Sequence, residues 1–101
     1  MPGELSVRYL PAAQDDLLSI LDFIAEDSPD RATRFVDELD RRIGGLSRLP
    51  NLGRVPRNAI LRSAGYRVLV LESYLEFYHV QPNGIDIHRV VHASRDLNHL
   101  L

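Results

Sequence analysis

Apolar residues in the first half of the chain recur with helical spacing and those of the last third alternate, so the pattern predicts helices followed by strands. From Ala13 onward, Ala13, Leu17, Ile20, Leu21 and Ile24 fall on one helical face, and Asp15, Asp16, Asp22 and Glu26 point outward as a solvated face. Pro11 favours the start of this helix, because the N–H that proline lacks would have no partner at the first helical position. The helix is expected to end near Asp27. Ser28-Pro29-Asp30 then restarts one, with a capping hydroxyl, a proline next to it and an acid beside the positive helix end. Ala32, Phe35, Val36, Leu39, Ile43 and Leu46 form the second stripe. So short a connection implies that the two helices pack antiparallel as a hairpin. Gly44-Gly45 is expected to interrupt the second helix, and Pro50 to stop whatever continues past it.

Asn51 to Asn58 contains Gly53, Pro56 and two arginines without periodicity and reads as a loop. Tyr66 to Leu71, Tyr74 to Val80 and Ile85 to His92 are rich in β-branched, aliphatic and aromatic residues and predict a three-stranded meander. Pro82-Asn83-Gly84 supplies the second reversal, whereas Glu72-Ser73 is a poor two-residue turn by the same chemistry. Ser6 to Leu10 alternates briefly and suggests an opening strand that pairs beside a later one. The fold class is therefore α+β in a single domain spanning 1–101, with an N-terminal strand and an antiparallel helix hairpin packed on a small antiparallel sheet. One sheet face takes the helical stripes and the other is free to be polar and functional. Arg89 shares register with Ile85, Ile87 and Val91, which would aim a charge into an apolar face. Either a bulge turns it away or it bonds a carboxylate such as Glu76, and a structural role is favoured.

Composition narrows the chemistry. With 45% hydrophobic and 26% charged residues in 101, the chain has one core and no room for a second domain. Cysteine is absent, which removes disulfides, thiolate metal sites and a cysteine nucleophile, and makes a reducing cytoplasm the expected location. Met1 to Leu10 lacks the pattern of a signal peptide, and no stretch approaches the roughly 20 apolar residues of a membrane span. Residues 1–50 carry ten acids against six arginines, a balance of -4, while the second half carries six arginines against four acids, a balance of +2. All the basic residues are arginine, yet a pI near 6.0 lacks the positive footprint of generic nucleic-acid binding. His88 and His92 would stand ~13 Å apart along a strand, too far for one metal. No phosphate loop, serine triad or paired carboxylate stands out, no cofactor is implied, and the tyrosines Tyr9, Tyr66, Tyr74 and Tyr78 read as sheet packing.

Ala13-x-x-Asp16-Leu17-x-x-Ile20, Pro50-x-x-Gly53, Leu61-Arg62, Tyr74-Leu75-x-Phe77-Tyr78, Arg89-Val90-x-His92 and Arg95-Asp96, in that order, resemble the RelE/ParE family of toxins from type II toxin–antitoxin modules. The resemblance covers nearly the whole chain, and its closing Arg-Val-x-His-x-x-Arg-Asp run leans toward the ParE branch. The chain departs from the family at Glu76, where an aliphatic residue is usual. The resemblance implies a toxin held in a hetero-oligomer by a cognate antitoxin, whose flexible segment would lay a helix or strand on exposed apolar surface, and which alone would contact operator DNA. ParE-type toxins bind DNA gyrase, and RelE-type toxins cut messenger RNA on the ribosome. The implied target contacts are Arg62, Arg67, Tyr78, His92, Arg95 and Asp96; antitoxin contacts are unassigned. In the ribonuclease alternative Arg62 and Arg95 would hold phosphate and His92 would move a proton, with His79 a further basic candidate. Low pI and the lack of lysine favour gyrase inhibition without chemistry, and a degenerate member that only binds antitoxin is a third reading.

Overall fold

The computed structural model describes residues 4–95. In chain order it contains β1 (Ser6–Tyr9), α1 (Pro11–Asp27), α2 (Pro29–Arg48), α3 (Ala59–Ser63), β2 (Arg67–Leu71), β3 (Tyr74–Gln81) and β4 (Gly84–His92). The architecture is the expected α+β arrangement, with the helix hairpin laid on a four-stranded sheet of order β1-β4-β3-β2. The sheet is mixed: β2, β3 and β4 form the antiparallel meander, and β1 joins β4 in parallel. Among the described residues no helix is long and apolar enough to cross a membrane.

Helix boundaries follow local chemistry. Ser28 caps α2, its hydroxyl accepting the Arg31 N–H at 3.2 Å, and Pro29 occupies the first turn. Contrary to expectation, Gly44-Gly45 does not break α2. Each glycine costs roughly 1 kcal/mol relative to alanine. Burial of Leu46 one residue later offsets that. The Glu72-Ser73 reversal does close the first hairpin in two residues, Leu71 facing Tyr74, with Glu72 at φ 53° in the left-handed region. Because β-strand pairing on both sides fixes the ends, the turn forms despite poor turn residues.

The acidic face of α1 is not wholly solvated. A register shift at Phe77/Tyr78 leaves His88 unpaired in β4, so Arg89 faces Phe77 and escapes the alternation that would have buried it. Its guanidinium forks onto Asp16 at 2.7 and 3.0 Å, not onto Glu76. Asp16 Oδ2 also accepts the Val90 N–H at 2.9 Å, where β1 has already ended and the edge of β4 would otherwise be bare.

Both sheet faces carry core. Ala13, Leu46, Leu69, Tyr78, Ile85, Ile87 and Val90 pack beneath the helices, continuing into Ile24, Phe35, Leu39 and Leu71. On the opposite face Leu61, Tyr66, Val68, Leu75, Phe77 and Val91 form a second cluster. Its cover is α3 and the segment before it, so that face is only partly free. The short helix α3 was not expected; Asn58 caps it by accepting the Leu61 N–H at 3.0 Å, and buried Leu61 anchors it.

Candidate functional site

The loop from Pro50 to Asn58 is held by single hydrogen bonds from side chains around it. Tyr78, fully buried on β3, donates its hydroxyl to the Pro50 carbonyl at 2.7 Å and accepts the Gly53 N–H at 3.0 Å. Only glycine fits at position 53, because a Cβ there would lie 2.6 Å from the Tyr78 hydroxyl and 2.7 Å from the Val68 carbonyl. Arg67 donates to the Gly53 carbonyl at 2.7 Å. Arg54 then exchanges both backbone hydrogen bonds with Val68 at 2.9 Å, adding a one-residue rung outside β2. Arg62 on α3 donates to the Arg57 carbonyl at 2.9 Å.

Several site expectations change as a result. Tyr78 cannot meet a target, since its side chain is enclosed and its hydroxyl is spent on the loop; desolvation accordingly raises its pKa. Arg62 and Arg67 each commit a guanidinium nitrogen to backbone carbonyls and act on the loop they brace. His92 is exposed at the end of β4, its Nδ1 accepting the Ser94 N–H at 3.1 Å and lying 2.8 Å from the Ser94 hydroxyl, with its ring edge-on to Tyr74. Arg95 is exposed beyond it, and Asp96 lies outside the described residues.

The braced loop presents a pocket of about 260 Å³ on the second sheet face. Val68, Leu75 and Phe77 make its floor, and Arg54, Arg57 and Ala93 belong to its wall. No hydrogen bond or ion pair holds the guanidinium of Arg54 or Arg57 among the described residues. The sequence had shown these two arginines only as members of an aperiodic run. The Pro50-x-x-Gly53 motif was the signal that the run is fixed in place.

Two other polar groupings stand apart from this pocket. On the same face, register places Arg8, Asp86 and His79 in one row across β1, β4 and β3. Arg8 bonds Asp86 at 2.8 Å and holds its carboxyl below the ordinary value. Tyr66 stacks on His79 with centroids 4.0 Å apart and meets His88 Nδ1 through its hydroxyl at 3.1 Å; the two imidazoles are 4.5 Å apart. Desolvation and the neighbouring His79 lower the pKa of His88. On the helix side Glu76 is fully buried, with the Tyr9 hydroxyl 3.2 and 3.3 Å from its two oxygens. Burial raises its pKa to about 7, against the smaller opposing effects of Tyr9 and Arg42. Among the described residues no three His, Cys, Asp or Glu side chains are grouped to hold a metal.

Solved structures share this arrangement. The chromosomal ParDE toxin–antitoxin system of P. aeruginosa superposes with a TM-score of 0.70 at 23% identity, over 90% of this chain and 98% of that one. The toxin–antitoxin complex RelBE2 of Mycobacterium tuberculosis gives 0.58 at 26% identity, over 88% and 98%. No curated protein sequence matches. The helix hairpin on a four-stranded mixed sheet is thus the fold of ParE and RelE toxins. The family model described as the ParE toxin of the type II toxin–antitoxin system parDE matches residues 7–97, and the chain belongs to that family.

Proposed function

We propose that this toxin arrests growth by binding DNA gyrase through protein contact, and that a cognate antitoxin neutralises it in a hetero-oligomer. Family membership supports the toxin role, and the two structural relatives named above come from toxin–antitoxin systems. The observation that carries the mode of action is the state of the candidate acid–base set. Arg62, the proposed phosphate ligand, binds the Arg57 carbonyl of its own loop, while Arg54 and Arg57, whose guanidinium groups have no partner among the described residues, rim an apolar pocket suited to a protein side chain. Arg95 and His92 lie close in sequence to Ala93 of that pocket and extend the proposed contact surface. Purified toxin should inhibit supercoiling by purified gyrase, and truncation after Arg95 should weaken that inhibition. Inhibition unchanged by the truncation removes the C-terminal residues from the surface.

A second reading, ribonuclease activity, is favoured by one feature, the His79 and His88 imidazoles grouped beside Tyr66, of which His88 Nδ1 shares a hydrogen bond with the Tyr66 hydroxyl and is the candidate proton carrier. Under that reading H79A/H88A abolishes messenger RNA cleavage on translating ribosomes. Under the gyrase reading the wild-type protein leaves the message intact.

A further inference from the structure

We infer that the pocket between the Pro50–Asn58 loop and the sheet is the receptor for an acidic, apolar segment of the poisoned protein: one large apolar side chain enters it, and carboxylates on either side of that residue pair with Arg54 and Arg57. The inference rests on the proposed target-binding function and gives the contact its chemistry.

The pocket is preformed. Its floor is the buried side chains of Val68, Leu75 and Phe77, and its volume of about 260 Å³ is room for one protruding side chain. The backbone of its rim does not need to be ordered on binding, because the Arg54 backbone is pinned by Val68, Gly53 by Tyr78, and the Arg57 carbonyl by Arg62. Preorganisation of this kind lowers the entropic cost of association. The rim charge is unspent: neither guanidinium has an acceptor among the described residues, and an arginine fork recognises a carboxylate in two-point geometry. Charge complementarity therefore selects an acidic occupant, and the floor selects an apolar one.

The position on the fold favours the target over the antitoxin as the source. A second exposed apolar surface is on α1, where Leu18 is 62% and Phe23 70% exposed amid the acidic half of the chain. It belongs to the helices, and the arginine pocket opens on the opposite side of the sheet, so the two surfaces can serve different partners. Val55 and Ile60, 51% and 55% exposed, add apolar area on the loop and α3.

The test uses the full chain and two probes. A peptide with phenylalanine between two glutamates, acetylated and amidated at its ends, is titrated into labelled toxin and followed by amide chemical shifts. We expect shifts confined to Arg54, Val68, Leu75, Phe77 and Ala93, and at least tenfold weaker binding when glutamine replaces both glutamates. In parallel R54E/R57E, whose melting temperature should match the wild type because both side chains are exposed and have no partner among the described residues, should need at least tenfold more protein to inhibit purified gyrase. Equal binding of the glutamine peptide, or shifts centred on α1, overturns the inference. So does a folded R54E/R57E protein that inhibits gyrase as the wild type does. If wild-type toxin does not inhibit gyrase at all, the gyrase reading fails, while the peptide titration still decides the chemistry of the pocket.

Discussion

The two faces of the sheet are covered by different means. On one, α1 and α2 bury long stripes of Leu, Ile and Phe35, and stability comes from area removed from water. On the other, a loop and a five-residue helix are held by a few directed bonds: from Arg62 and Asn58 beside them, and from Tyr78, whose ring belongs to the helix-side core, and Arg67, which reach the start of the loop. The first kind of cover tolerates a helix glycine pair and even a buried acid. The second depends on each bond, and in return it displays backbone and arginines in a fixed arrangement. The helix face supplies most of the buried apolar area, and the loop face carries the surface proposed for recognition.

Perturbing the helix face most directly should cost the most. Phe35→Ala removes a buried ring packed edge-on against Tyr74 at 5.6 Å and should lower unfolding free energy by about 4 kcal/mol in urea titrations. A loss below about 1 kcal/mol would mean that the stripe is not the main source of stability.

Glu76 gives a pH-dependent version of the same comparison. Its carboxyl, raised to about 7 in the folded protein, keeps a proton that the unfolded chain loses near the ordinary value of 4.5. Over that interval the folded state binds more protons, so stability falls as pH rises and levels off above 7. The loss should reach about 3 kcal/mol. Carboxylates lowered by ion pairs, Asp86 with Arg8 and Glu38 with Arg41, work in the opposite direction. The decisive quantity is therefore the difference between wild type and Glu76→Gln from pH 4.5 to 8, and parallel curves would contradict the assignment.

For the loop, Tyr78→Phe leaves the Pro50 carbonyl and the Gly53 N–H without their partner and should cost about 2 kcal/mol. Amide exchange should quicken at Arg54 and Val68, whose mutual bonds depend on the loop. Unchanged exchange there would show that the loop does not need Tyr78. The smallest expected effect is Ser28→Ala, about 1 kcal/mol for the lost cap of α2, with no effect on the loop face.

How far the sequence could be read follows the same division. Stripes such as Phe35, Leu39, Ile43 and Leu46 repeat, so periodicity located both helices, and Ser28-Pro29 marked their boundary. Alternation located the meander, and the ordered motifs identified the family. What escaped was non-periodic. The family motif contained Asp16, but spacing and composition placed it with Asp15 on the solvated face, with no sign that it reaches Arg89 and the bare edge at Val90. Tyr78 read both as sheet packing and as a target contact; its ring joins the helix-side core, and its hydroxyl is taken up by a loop without local pattern. Arg54 and Arg57 were visible as charges, but that they have no partner among the described residues is a property of the folded loop. The bulge at His88 was anticipated only as one of two ways to accommodate Arg89.

The central claim is that the toxin acts by contact with gyrase. Its most direct test is to induce the chain alone in growing cells and pulse-label DNA and protein synthesis over the first minutes. This account predicts that DNA synthesis falls first, with translation following later. Translation stopping first, with cleaved messages, would contradict it and move attention to Tyr66, His79 and His88.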